Sequence, residues 1–341
     1  MKKLTSYFFI KILYRIFRSY PAIPFIVILI IIAAIYEPAF LTPDNFRSIA
    51  SYISILGLVT IGMTFAVLLG MFDLSVGGIL CLTATIYCIW YMGYYYLYLP
   101  GPGTIMFVKE LNPVLPEALI LLGVLFIAVA LGLINGFVIA HFGVPSIVTT
   151  LGVLILSRGL AWTLSGGNPL YTIPDYIKYF GQSTIYGVPL TFLFWIIILL
   201  LTGIMLNCTT IGRAIYQVGG NPEAAYAAGV NITSTRIIAM GISGLMAGLA
   251  GLLMVGRTGV MHPHYGMGIE LDALAAVVVG GISLQGGKGG VVNTLCGVLF
   301  LGILTNMMNL MAIEAITQYL VKGAFLIALV LFERKLEVRT G

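Results

Sequence analysis

Charge is what this sequence has least of. Only 9% of its 341 residues are Asp, Glu, Lys or Arg, while 60% are hydrophobic; a soluble domain carries about 25% charged residues. The shortage is local as well as global. Asp73 is the single charge between Arg47 and Lys109, and Arg158 the single charge between Glu117 and Asp175. No water-facing surface can be built from such stretches, and the mean hydropathy of +1.07 points to a bilayer as the solvent. Cysteine is also scarce. Cys81, Cys88, Cys208 and Cys296 form no CxxC pair, which argues against a disulfide framework or a thiolate metal site. Histidine is limited to His141, His262 and His264, all expected in loops. A His262-x-His264 metal site would need a third ligand, for which only Glu270 is near, so a docking surface or plain loop is the simpler reading. No metal site is expected. No cleavable leader is read either, because the first apolar run starts near Ala22 and has the length of a true span.

What the chain does have is long apolar runs, and about 20 such residues cross a membrane. Ten candidates follow one another: Ile23–Phe40, Ser51–Gly70, Val76–Leu97, Glu117–Ala140, Ser146–Leu164, Val188–Leu206, Arg236–Gly256, a short Glu270–Ser283, Gly290–Met308 and Ile313–Phe332. The net charge of +5 gathers at the two ends, in Lys2, Lys3, Lys11, Arg15 and Arg18, then Arg334, Lys335 and Arg339. Basic flanks mark the cytoplasmic side of a membrane protein, not a nucleic-acid surface. Ten crossings return the chain to its starting side, so parity and charge agree. The expected fold is an all-α integral membrane protein of about ten transmembrane helices, with Gly-rich interruptions and both termini cytoplasmic. A cytoplasmic segment (1–22), one transmembrane domain (23–335) and a short tail (336–341) follow. The loops 100–116, 166–187 and 257–268 fall outside, and a long loop 207–235 falls inside. Tyr91, Tyr94, Tyr95, Tyr96 and Tyr98 suit an interfacial belt, the alternative being a polar pathway wall.

Two segments resemble each other, Gly70-Met71-Phe72-Asp73-Leu74-Ser75-Val76-Gly77 and Gly280-Gly281-Ile282-Ser283-Leu284-Gln285-Gly286-Gly287. Repeated, glycine-broken helices are typical of transporters, and irregular backbone at membrane depth is tolerated only inside protein or beside a wet cavity. Two glycine-rich hairpin turns would read the same way. Gly77, Gly280, Gly281, Gly286 and Gly287 are the expected breaks.

The inside loop holds a compact start signal. Asn221 is a good N-cap, Pro222 fits the first turn, Glu223 complements the helix dipole, Ala224 and Ala225 favour helix, and Gly229 can stop it. A helix of about 10 Å results, with a second start at Asn231, Thr233 and Ser234. It is either a docking element or an ordinary connector.

That segment resembles the coupling region of permeases of bacterial ABC importers for ribose, galactose, xylose, related sugars and autoinducer-2. Three more runs are similar to the same family: Asp73-Leu74-Ser75-Val76-Gly77, Gly143-Val144-Pro145-Ser146-Ile147-Val148-Thr149-Thr150-Leu151-Gly152, and the stretch from Glu270 to Gly289. Met71-Phe72 departs from it, where Gly-Ile is usual before Asp-Leu-Ser. The resemblance covers about residues 22–335. It implies a permease working as a homodimer or with a close homologue, docked through Asn221–Gly229 on a cytoplasmic ABC ATPase and fed by an extracytoplasmic solute-binding protein. ATP and Mg would belong to the ATPase, with no cofactor in this chain. Gly286-Gly287-Lys288-Gly289 is not a phosphate loop, because Ile282 stands where the first glycine belongs and Gly289 replaces Ser or Thr.

The polar residues within spans are pathway candidates by default: Asp73, Ser75, Glu270, Asp272, Asn306 and Asn309. Asp73 would equally well cap the third span, and Glu270 would cap a helix or pair with Arg257. Arg158 is a further candidate partner for Asp73. Gly244, Ala247, Gly248 and Gly251 form a close-packing stripe. Gly241-Ile242-Ser243-Gly244 resembles the nucleophile motif of rhomboid intramembrane proteases, but such chemistry needs a histidine in another span. An ion-coupled secondary transporter, the stronger rival, would need a carboxylate relay, toward which only Asp73 is placed.

Overall fold

In the computed structural model, residues 20–99, 105–110, 116–314, 316–325 and 327 are described. The terminal basic clusters lie outside these. Most of the described residues are helical. Helix α1 (Ala22–Tyr36) stops short of Phe40 because Glu37 precedes Pro38 and is driven to extended geometry, φ −135°, as a pre-proline residue must be. Helix α2 (Pro43–Leu68) starts eight residues earlier than its apolar run. Thr42 caps it by accepting from Asn45 N at 3.3 Å, and Pro43 and Asp44 fill its first turn. Helix α3 (Val76–Met92) ends on Gly93 at φ +68°. The expected continuation to Leu97 is therefore wrong. Residues Tyr94–Leu99 form β1, paired antiparallel with β2 (Ile105–Glu110), consistent with the strand preference of a tyrosine run.

Helices α4 (Glu117–Phe142) and α5 (Ser146–Ser165) follow. His141 closes α4 and is not in a loop. The next loop contains a short helix, α6 (Asp175–Gln182), and a two-residue ladder of β3 (Thr184–Ile185) with β4 (Val188–Pro189). Helix α7 (Leu190–Cys208), about 28 Å long, carries the chain to the opposite end of the bundle. There α8 (Thr210–Gly220) and α9 (Pro222–Ala227) run before α10 (Ile232–Thr258) returns. Helix α11 (Ile269–Val279) has 11 residues, about 16 Å, half of the roughly 30 Å hydrocarbon core. Helix α12 (Val291–Leu310) follows, and residues 316–325 are again helical.

Among the described residues six helices, α2, α4, α5, α7, α10 and α12, are long and apolar enough to cross a membrane; α1 and α3 are shorter apolar helices. Burial sorts them. The apolar window of α2 is 89% buried, against 17% for α5 and 22% for α4, so α2 runs through the middle. The outer helices turn large side chains away from the protein, Phe126 and Ile155 among them. Lipid tails suit these faces, whereas water would not. Within the bundle, glycine brings backbones together. A Cβ on Gly132 would overlap the Met240 carbonyl, and one on Gly244 the Ala128 carbonyl, at the α4–α10 crossing. Gly251 instead meets Leu80 of α3, so the expected stripe serves two neighbours, not one.

Candidate functional site

The loop between α7 and α10 is a helical hairpin. Thr209 caps α8 by accepting from Gly212 N at 3.1 Å, and Ile215 and Val218, one face of the helix, are buried. Asn221 then ends α8 and starts α9. Its side chain accepts from Ala224 N at 3.0 Å, with Pro222 and Glu223 in the first turn. Ala225 is buried and holds α9 down, while Pro222, Glu223, Ala224 and Tyr226 stand exposed. Gly229, at φ +81°, ends the unit. Asn231 caps α10, accepting from Ser234 N at 2.9 Å. Reasoning from sequence missed α8, although Thr209 and the Ile211–Ile215–Val218 spacing carry a cap and an apolar face.

The inner end of this hairpin touches both helix breaks. The first break spans 69–75, between α2 and α3; the second spans 280–290, between α11 and α12. They meet directly, since Gly287 N donates to Leu68 O at 2.9 Å. A Cβ on Gly70 would lie 3.2 Å from Gln285 O. Gly219, at the end of α8, closes the junction. Its Cβ would overlap Leu68 O and lie 2.8 Å from Gly287 N. Gly286 and Gly287 take φ of +91° and +70°, which bulkier residues avoid. Gly281, at φ +87°, lies beside Gly280, whose carbonyl accepts from Asn293 Nδ2 at 2.7 Å. The two segments that resemble each other in sequence thus adjoin in space.

The first break is held by polar side chains. Asp73 and Ser75 are fully buried. Asp73 Oδ1 accepts from Ser75 N at 3.0 Å and from the Ser75 hydroxyl. Asn135 of α4 donates to Ser75 Oγ at 2.9 Å. Phe72 N donates to Ser146 Oγ at 3.1 Å, at the start of α5. Asp73 therefore bonds the residue just ahead of α3 and does not cap it: Ser75 is the N-cap residue, and no side chain accepts from the helix's first turn.

Arg158 does not pair with Asp73. It lies 3.3 Å from both oxygens of Glu270 and donates to Gly266 O at 2.8 Å. Glu270 in turn is not the partner of Arg257. The reason is the path of residues 259–268, which run back along α3 before α11 begins: Cys81 Sγ donates to Pro263 O at 3.3 Å. Gly77 lies inside α3 and is not the expected break; it is the bare spot that admits this pair, because a Cβ there would overlap the Glu270 carboxylate. Asp272, two residues on, faces the other way and takes Lys322 Nζ at 2.7 Å. Two ion pairs thus clasp the start of the half-length helix from opposite sides. Asn306 and Asn309 are also engaged. Asn306 exchanges hydrogen bonds with Asn45 at 2.7 and 3.1 Å, and Asn309 Oδ1 accepts from Gln318 Nε2 at 2.8 Å.

At the far end, Leu170 and Met261 exchange backbone hydrogen bonds at 2.8 and 2.9 Å, tying the loops 166–187 and 257–268 together. His264 N donates to His262 Nδ1 at 3.2 Å, and the two rings stack at 5.1 Å. Ser243 is buried within α10.

Comparison with known proteins places this arrangement. A family described as "Branched-chain amino acid transport system / permease component" matches residues 45–330. The ribose import permease of Bacillus subtilis is 36% identical over 90% of both chains. The L-arabinose transport system permease of Escherichia coli is 34% identical over 94% of this chain and 92% of its own. The D-allose transport system permease of Escherichia coli is 32% identical over 90% of each. No solved structure matches the chain. With nearly the whole length matched and the apolar bundle in place, the chain belongs to the permease component family of branched-chain amino acid transport type, as a membrane permease of an ABC importer.

Proposed function

We propose that this chain moves a sugar or sugar-like solute inward across the bacterial cytoplasmic membrane, in ten crossings with both ends cytoplasmic. The six long helices supply six crossings. α1, α3, the α11 segment and the helix at 316–325 supply the others, the short ones supplemented by irregular chain buried in protein. Two copies, or this chain and a close homologue, enclose the path. A cytoplasmic ATPase binding ATP and Mg docks on Asn221–Gly229, and an extracytoplasmic binding protein delivers solute to the loops containing Leu170 and Met261. The sugar class comes from the relatives, named for ribose, L-arabinose and D-allose. It also fits a bundle in which Arg158 is paired with Glu270 and Lys322 with Asp272, since a neutral solute needs no fixed counter-charge.

One observation carries the coupling assignment. The exposed α9 is joined through α8 to Gly219, and Gly219 abuts both breaks. A push on α9 therefore reaches the irregular backbone without passing through a flexible side chain. Glu223→Arg tests this, because Glu223 is exposed and bonded to nothing that holds the fold. The expected result is intact expression and thermal stability, with loss of ATPase co-purification and of ATP-driven uptake into vesicles. Unchanged uptake in that variant would remove α9 from the coupling role.

A further inference from the structure

Around Asp73 the protein leaves three oxygens without a protein partner. Asp73 Oδ2, Asn135 Oδ1 and Ser243 Oγ are all buried and make no hydrogen bond to the chain. Their residues are fully excluded from the surface. They come from three elements: the first break, α4 and α10. Asn135 is tied to Asp73 through Ser75, and Ser243 lies beside the carboxylate. The amide orientation is set by chemistry. Ser75 gives its hydroxyl proton to Asp73 and can only accept from Asn135, so Asn135 presents Nδ2 to Ser75 and leaves Oδ1 as a free acceptor. A carboxylate oxygen and an amide oxygen, both acceptors, thus lie unsatisfied in a dry interior where such atoms are costly.

Compensation by a protein charge is missing among the described residues. Of the ion pairs there, none includes Asp73. Arg158, the partner that the sequence suggested, is committed to Glu270. The positive end of α3 offsets part of the charge, but it acts on Oδ1 through Ser75 N. Oδ2 keeps no donor.

We propose that Asp73, Asn135 and Ser243 form a binding site for one monovalent metal cation, sodium in size and hardness, which pins the first break against α4 and α10. The ligand set is all oxygen, which suits a hard cation. Charge balance decides the valence. One carboxylate neutralises one positive charge, whereas a divalent ion would leave a net charge buried, which is expensive. The site is independent of the transported solute and of the ATPase.

The test uses the full chain in nanodiscs of neutral lipid, with thermal unfolding followed in sodium, potassium and choline chloride at equal ionic strength. Sodium is expected to raise the transition temperature saturably above choline, as a ligand selective for the folded state does. Asp73→Asn abolishes the rise. Ser243→Ala keeps the charge and loses one neutral ligand, so its half-saturating sodium concentration moves up about tenfold, the scale of one such contact. Equal transitions in sodium and choline overturn the proposal and assign the three oxygens to water or a proton. So does a sodium effect that survives in Asp73→Asn. Where Asp73→Asn fails to fold, Ser243→Ala decides alone: an unchanged half-saturation overturns the site.

Discussion

The two helix breaks adjoin but are built by different means. The first, at 69–75, is held by side chains: Asp73, Ser75, Asn135 and Ser146 tie three elements together. The second, at 280–290, is held through its main chain, whose carbonyls at Gly280 and Gly289 accept from Asn293 and Tyr216. Gly281, Gly286, Gly287 and Gly289 sit at positive φ, and the break closes on its own carbonyls, with Ser283 N donating to Lys288 O at 3.1 Å. A side-chain network fails piecemeal, one hydrogen bond at a time. A glycine turn has no spare conformation for a larger residue, so it fails at once. The polar break is therefore the adaptable partner and the glycine break the rigid one.

The contrast sharpens into a series of expected effects. Removing one member of the partly buried Arg158–Glu270 pair, as in Arg158→Met, should cost up to about 3–5 kcal/mol, the scale of a fully buried pair. Arg158→Met combined with Glu270→Leu should recover most of it, which a double-mutant cycle on thermal stability would measure. Absence of recovery would mean that the pair is not what holds the segment beside Gly77. Gly219→Ala comes next. Its methyl group would overlap Leu68 O, and overpacking of this kind costs about 1–3 kcal/mol. Gly220→Ala, with open space around its Cβ position, should be close to neutral, so equal effects at both positions would break the account of the junction. The smallest contrast compares the breaks themselves. Gly286→Ala should cost about 1–2 kcal/mol for its left-handed backbone alone. Ser75→Ala should cost about 1 kcal/mol for one hydroxyl network. A reversed order would show that the polar break is the stiffer one.

Much of this was legible in the sequence, and the misses have physical causes. The apolar runs gave the bundle because bilayer solvation leaves a signal in composition. Caps gave α9 and α10 because Asn221 and Asn231 act on residues three ahead. The likeness of residues 70–77 and 280–287 pointed to two breaks, and these meet at Leu68 and Gly287. Pairings across the bundle were not legible. Arg158 chose Glu270 over Asp73 because residues 259–268 run along α3, a path set by packing and not by any local pattern. Asp272 found Lys322, which no spacing rule connects. The third run overshot to Leu97 because apolar tyrosine suits both a helix and a strand, and only Gly93 marks the change.

The Gly219 contact has a consequence for how such a transporter can be altered. Leu68 O, Gly287 N and Gly219 are main-chain atoms from three distant parts of the chain, packed without an intervening side chain. No choice of amino acid there can lengthen or soften the linkage; substitution only breaks it. The exposed residues of α9 carry no such restriction. On the proposed coupling role, an engineer who swaps the ATPase would recut Pro222, Glu223, Ala224 and Tyr226 to fit the new motor and leave the stroke unchanged, because the handle is interchangeable and the pushrod is not.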